Sequence, residues 1–285
     1  MNSPIQSDAA ELAAREFDLS ERDFRRIVEL IAGHAGIALS DAKRNLVYGR
    51  LVRRLKALDI VSFSAYIDLL DQPGNEELEH FVNSLTTNLT SFFRERHHFE
   101  FLAKELLPGI RENRRGEKIR AWSAGCSTGE EAYSMAITMA EHLPDNQEFR
   151  ILATDLDSSV VAHAAAGIYP AERIASLSRG QTQRWFQRGT GSKSGMVRVR
   201  QDLRSHIVFR KLNLMDPWPM RRNFDFIFCR NVIIYFDKDA QRKLFKRFAE
   251  VIAPEGHMFI GHSESLFKVS DAFTSLGHTI YRKVE

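Results

Sequence analysis

Apolar positions change their period partway along the chain, and the predicted elements change with them. Between Leu19 and Leu85 they recur at helical spacing. Ser20, with Asp23 three residues on, predicts the N-cap of a helix running to about Ala35. Ser40 predicts the cap of a second helix to about Leu58, Ser62 starts a third, and Asn75-Glu76-Glu77 leads a fourth through Leu85. Residues 1–18 are polar and expected to fray, and 1–90 reads as a small all-α domain. On the second helix Val47, Tyr48, Leu51, Leu55 and Leu58 fall on one stripe, whereas Lys43, Arg50, Arg53 and Arg54 share another face. That face lacks the interleaved acids of a merely solvated helix, so it reads as a surface for an acidic protein, against the simpler reading of a solvated face.

From Lys118 short apolar runs take over, at 118–123, 149–154, 207–212, 224–229 and 256–261, with helical patterns at 130–142, 158–166 and 238–252. Alternation of this kind predicts an α/β fold with a mostly parallel, Rossmann-like sheet. A terminal pair from Phe273 to Lys283, turning at Gly277, adds an antiparallel hairpin. Residues 167–206 break the alternation with Gly189, Gly191 and Gly195 followed by Met196-Val-Arg-Val-Arg200. They read as a small antiparallel β insertion within a catalytic domain over 91–285, with an edge strand open to an extended peptide, or as a solvated loop.

The strand at 118–123 runs into Ser123-Ala-Gly-Cys-Ser-Thr-Gly129 and then a helix opening on Glu130 and Glu131. Strand, small-residue turn and helix make a nucleotide-binding unit, but G-x-G-x-x-G is missing. Two carboxylates at the helix start repel a pyrophosphate; they suit S-adenosylmethionine, which has ribose hydroxyls, an ammonium and a sulfonium. An ordinary glycine turn with an acidic helix start remains the alternative. Asp155 ends the next strand, 26 residues past Gly129, where an acid accepts hydrogen bonds from ribose hydroxyls. The run Thr86-Thr-Asn-Leu-Thr-Ser-Phe-Phe-Arg94 offers hydroxyls and amides to line a pocket, and Arg94 is a bidentate donor for a carboxylate. His97 and His98 adjoin on a predicted helix and are expected to diverge by about 100°, unable to share a metal. With no His/Cys/Asp cluster at ligand spacing, no metal site is expected.

Composition narrows the class. Hydrophobic residues at 44% and charged residues at 27% are ordinary for a soluble protein. No apolar run of about 18 residues predicts a membrane span, and the N-terminus lacks a secretory h-region. Two cysteines, Cys126 and Cys229, make no disulfide framework, so the cytoplasm is the expected compartment. The net charge of +3 hides local patches: eleven Lys/Arg against two acids between Ser178 and Arg222, and six against one between Asp41 and Lys56. Such patches suit an acidic partner.

At Thr86-Thr-Asn-Leu-Thr-Ser-Phe-Phe-Arg-Glu95, Ser127-Thr-Gly-Glu-Glu-Ala-Tyr-Ser134 and Phe228-Cys-Arg-Asn-Val-Ile-Ile-Tyr-Phe236 the sequence resembles the chemotaxis receptor methyltransferases, the CheR family. Gly261-His-Ser-Glu264 also resembles a family segment. The resemblance covers roughly residues 20–284 and implies S-adenosylmethionine-dependent O-methylation of glutamate side chains on the cytoplasmic domain of bacterial chemoreceptors. It implies cofactor contacts at Asn88, Thr90, Arg94, Glu131, Asp155, Asn213, Leu214, Arg230 and Asn231, with Arg94 and Tyr235 at the substrate end. It also implies that the turn from Gly189 through Gly191 and Gly195 to Arg198 docks a receptor's C-terminal tail peptide. The expected protein is a monomer that binds no nucleic acid. Rival readings are a nucleic-acid methyltransferase, which the basic patches suit, and a non-catalytic receptor-binding module that keeps the fold. An NAD-dependent oxidoreductase is disfavoured by the acidic helix start and the missing third glycine.

Overall fold

A computed structural model describes residues 16–113 and 116–284, the side chain of Asn113 excepted. Most of the stretch expected to fray, 1–18, lies outside the described residues. The chain divides between Thr86 and Thr87 into two compact units.

The first unit is helical: α1 (Glu21–Ala35), α2 (Arg44–Ala57), α3 (Phe63–Leu70) and α4 (Glu77–Leu85). Ser20 caps α1 by accepting from the Asp23 N–H at 3.1 Å, and Gly36 ends it at φ 69°. Ser62 caps α3 through Ala65 at 3.2 Å. Ser40 makes no such bond, because a 3₁₀ turn at Asp41–Lys43 intervenes before α2. Val47, Leu51 and Leu55 are fully buried with Phe24, Ile27, Phe63, Tyr66 and Phe81. The apolar stripe of α2 stops there; Leu58 sits past the helix end and is 38% exposed.

The second unit opens with α5 (His97–Phe101), a π turn at Leu102–Leu106 and α6 (Leu107–Asn113). Its main elements follow as β1 (Ile119–Ala124), α7 (Glu130–His142), β2 (Phe149–Asp155) and α8 (Ser158–Ala166). An inserted lobe holds β3 (Ile168–Pro170), α9 (Arg179–Trp185), β4 (Phe186–Arg188), β5 (Met196–Val199) and α10 (Gln201–Arg204). The chain then completes the sheet with β6 (Ile207–Lys211), β7 (Phe224–Cys229), α11 (Lys238–Val251), β8 (Ile252–Ile260), β9 (Phe273–Gly277) and β10 (Ile280–Lys283).

Seven strands lie in the order β6-β2-β1-β7-β8-β10-β9. The first five are mutually parallel, and β10 slots in antiparallel between β8 and β9. β7 is buried along its whole length, as a parallel strand covered on both faces must be. Alternate residues feed opposite layers. Phe226 and Phe228 join Tyr133 and Met135 of α7, while Ile227 and Cys229 join Phe245 and Phe248 of α11. The insertion forms a separate antiparallel sheet, β3-β5-β4, so Arg198 lies on its central strand and the edges are β3 and β4. Two helices within it escape the sequence reading, although Ser178 and Gln181 form a capping box at the start of α9. Among the described residues no helix is long and apolar enough to cross a membrane.

Candidate active site

The chain runs outward from β1 through β2 to β6, then returns to the far side of β1 as β7 and continues through β8. The order reverses between β1 and β7, and a crevice at strand C-termini beside such a reversal is where open α/β sheets bind ligands. The loop after β1 lies at this place. The N–H groups of Gly125 and Cys126 both donate to the Thr154 carbonyl, at 2.8 and 2.9 Å. Gly125 and Gly129 adopt φ of 87° and 98°. A methyl group on Gly129 would come within 2.7 Å of the Ala164 Cβ, so the loop packs directly on α8.

Buried carboxylates gather at this end of the sheet. Asp155 accepts from the Ser127 N–H at 2.8 Å and the Asp157 N–H at 3.1 Å. Burial pushes its carboxyl up, and those two N–H groups oppose the shift. Burial likewise raises Glu131, against the Arg230 guanidinium at 3.3 Å and the Ser123 hydroxyl donating at 2.7 Å. Glu130, fully buried, is held by Arg173 and by the Thr128 hydroxyl at 2.6 Å.

The polar run before α5 lies along this loop. Asn88 donates to Asp157 at 2.8 Å, and its carbonyl accepts from the Ser127 hydroxyl at 2.9 Å. The Thr90 carbonyl accepts from Arg173 at 2.9 Å. Phe93 and Glu95, on either side of Arg94, both adopt left-handed backbone, at φ 54° and 56°. Such residues cost about 1–3 kcal/mol each and persist only where the surroundings over-determine them. Here the Phe93 N–H is tied to Ser134 at 2.9 Å, and the Arg94 carbonyl accepts from Arg230. One Arg94 guanidinium N–H donates to the Leu89 carbonyl at 2.9 Å.

The remaining residues named from the sequence sit on neighbouring strand ends. Asn213 and Leu214 follow β6; Asn213 accepts from the Met215 N–H at 3.0 Å, and Leu214 is buried. Arg230 and Asn231 follow β7, and Tyr235 ends the short 3₁₀ turn Ile233–Tyr235 just beyond. That turn is held by a residue absent from the sequence-based assignment. Glu264, buried after β8, accepts four backbone N–H groups: Gly261 at 2.5 Å, Asn231 at 2.9 Å, Ile233 at 2.8 Å and Ile234 at 3.3 Å. Asn231 itself is left-handed at φ 58°. The sequence signal for Glu264 is the Gly261-His-Ser-Glu264 stretch. Arg173, Ser123 and Asp157 are also missing from that assignment, and of these only Asp157 has a local signal, as a helix cap.

Elsewhere the basic face of α2 divides. Arg54 is spent on Glu77, donating at 2.8 and 2.6 Å, and Arg50 on the Leu85 and Thr86 carbonyls at 2.8 and 2.7 Å. Arg53 is exposed, whereas Lys43, expected on the same helix face, is half-buried in the 3₁₀ turn that precedes α2. In the insertion Gly191 and Gly195 are left-handed at φ 56° and 83°, and Gly189 abuts the Lys193 carbonyl. The expected divergence of His97 and His98 fails. Both imidazoles reach the His278 carbonyl, at 3.2 and 3.0 Å, and their rings lie 4.2 Å apart.

The donor set fits S-adenosylmethionine rather than a nucleotide phosphate: residues 123–131 bring two carboxylates and no basic side chain to the loop. Comparison with known proteins agrees. The family model described as CheR methyltransferase, SAM binding domain, matches residues 88–282, and CheR methyltransferase, all-alpha domain, matches 22–86. The chemotaxis protein methyltransferase of Escherichia coli (strain K12) is 45% identical over 266 residues, covering 92% of this chain and 91% of that protein. Chemotaxis protein methyltransferase 2 of Pseudomonas aeruginosa is 42% identical over 281 residues, 98% of this chain and 99% of its own. The solved N-methyltransferase NodS from Bradyrhizobium japonicum covers 67% of this chain and 97% of its own at 15% identity and a TM-score of 0.39.

Proposed function

The chain belongs to the CheR methyltransferase family, and from that premise we propose that it methylates glutamate side chains of bacterial chemoreceptors during chemotactic adaptation. It acts in the cytoplasm, as a monomer, on the receptor's cytoplasmic domain. Lys43 and Arg53 meet the acidic surface of that domain. The lobe around Gly189, Gly191, Gly195 and Arg198 takes the receptor's C-terminal tail along the open edge of β3 or β4.

S-adenosylmethionine, once bound, supplies a methyl group on a positively charged sulfur. Asp155 accepts from its ribose hydroxyls. Asn88, Thr90, Glu131, Asn213, Leu214, Arg230 and Asn231 line the rest of its site. The acceptor, a glutamate with pKa about 4.3, is already ionised at neutral pH, so no general base is needed. Arg94 holds that carboxylate in line, and Tyr235 shapes the transfer site. Arg94 must bind it without neutralising it, since a tight ion pair would quench the nucleophile. Alignment then supplies most of the acceleration, up to about 7–11 kcal/mol in favourable intramolecular cases.

The observation that carries this reading is the strained presentation of Arg94 between two left-handed residues, beside a carboxylate-lined loop. Receptor cytoplasmic fragments incubated with methyl-labelled cofactor test it. Base-labile methyl groups on glutamates are expected, with Arg94→Ala slowing turnover on the order of 100-fold, about 2.7 kcal/mol, while the fold is retained. Label on nucleic acid, or Arg94→Ala at full turnover, would overturn it.

A further inference from the structure

Three of the chain's ten histidines, His97, His98 and His262, gather around one glutamate close to Arg230, and a fourth, His278, packs beside His97. Glu95, His97 and His98 each place a ligand atom within 4.8 Å of the others. His262 Nδ1 is 2.8 Å from Glu95 Oε1, and the His278 ring lies 5.8 Å from that of His97. Neither His262 nor His278 is near these residues in sequence, so the fold alone brings them together.

The tautomer of His98 is set by its neighbours. The Thr279 hydroxyl donates to the His278 carbonyl at 2.7 Å, so its hydrogen is spent. The same carbonyl and the Thr279 oxygen lie 3.0 and 3.1 Å from His98 Nε2, so a proton on Nε2 serves both. Nδ1 is left with a bare lone pair. It is buried, has no hydrogen-bond partner among the described residues, and lies 3.6 Å from Glu95 Oε2, another buried acceptor without one. Two acceptors facing each other repel unless something positive binds both. Arg230 Nη2, 3.4 Å from Glu95 Oε2, serves the carboxylate but not the imidazole.

We propose that Glu95, His97 and His98 form a binding site for a divalent transition-metal ion of the zinc class, with His262 and His278 at its solvent side. Imidazole and carboxylate are the ligands such ions take, and neighbouring ligand atoms in a tetrahedral zinc site stand about 3.3 Å apart. The separations here, 3.6 Å for the buried pair and no more than 4.8 Å within the trio, close to that with small side-chain rotations. A ligating histidine normally donates its other N–H to a carbonyl or carboxylate, as His98 does to His278. Because Glu95 also faces Arg230, which pairs with Glu131, an ion at this place bears directly on the cofactor's surroundings.

The test is titration of the chelator-stripped full chain with Co²⁺, followed by displacement with Zn²⁺. One Co²⁺ per chain with the visible bands of tetrahedral coordination is expected. His97→Ala should weaken it 10-fold or more, and His34→Ala, in the helical unit, should leave it unchanged. His97 is exposed, so its replacement spares the core; His262→Ala is the second variant should the first lose its fold. No bands at tenfold excess of Co²⁺, or bands as strong in His97→Ala and His262→Ala as in the parent chain, would overturn the proposal. Water bridging the two acceptors is what a negative result would mean.

Discussion

Replacement of Glu264 by glutamine isolates the clamp on the turn that carries Asn231 and Tyr235. All four of its contacts are backbone donors, two to each oxygen, an arrangement that favours the charged carboxylate. Burial pushes this carboxyl up, and the four N–H groups oppose it. In Glu264→Gln the side chain would keep its shape but turn an NH₂ toward one pair of donors, whichever way the amide flips. Two charge-assisted bonds are then lost, each worth about 1.5–3 kcal/mol, or roughly 3–6 kcal/mol before relaxation. Taking the lower end, and about 2–4 °C per kcal/mol for a unit of this size, the catalytic unit should unfold about 6–12 °C lower. Whichever pair is lost, the turn carrying left-handed Asn231 loses an anchor, at Asn231 itself or at Ile233 and Ile234 beyond it, and should drift, weakening S-adenosylhomocysteine by 10-fold or more. Scanning calorimetry and isothermal titration read both effects. An unfolding shift below about 2 °C with unchanged ligand affinity would refute the clamp.

Gly125→Ala combines an unfavourable φ of 87° with a collision against the Val232 side chain, and should cost about 1–3 kcal/mol by calorimetry. Arg54→Met strands the Glu77 carboxylate, which is 7% exposed, and should destabilise the helical unit by about 3–5 kcal/mol in denaturant titration. Arg53→Glu should stay within about 0.5 kcal/mol of the parent and instead slow receptor methylation in a salt-dependent way. Burial pushes the Glu77 carboxyl up, but Arg54 and the Tyr66 hydroxyl outweigh it and hold it below its ordinary value. Its stabilisation is therefore complete above about pH 4.3 and is lost as the pH falls through the lowered value. Glu77→Gln should flatten that part of the acid-unfolding curve followed by circular dichroism.

Elements set by near neighbours are legible in the sequence. The caps at Ser20 and Ser62, the glycine loop, the parallel strands and the closing hairpin all follow from residues within one or two turns of each other. Ser40 shows the limit even there: its spacing suits a cap, but the backbone tightens to a 3₁₀ turn first. Pairings across the fold leave no periodic trace. Arg54 and Glu77 are 23 positions apart, Glu264 and Asn231 33, and Arg230 and Glu131 99. The basic face of α2 therefore reads in sequence as uniformly available surface, although Arg54 stabilises the unit's own core.

The two glutamates opening α7 illustrate what such pairings decide. In sequence they are equivalent, adjacent and equally acidic. Arg173 reaches Glu130 from 43 positions away, beyond the next strand and helix, and the Thr128 hydroxyl takes its other oxygen, so its charge is spent in holding the loop to the inserted lobe. Glu131 meets Ser123 and an Arg230 whose guanidinium is shared with Glu95 and the Arg94 carbonyl. Its counter-charge is divided, and burial still raises its carboxyl. On the proposed function, a cationic cofactor would therefore gain more from Glu131 than from Glu130. The difference comes from the partners the fold supplies, since helix position and residue type are the same for both.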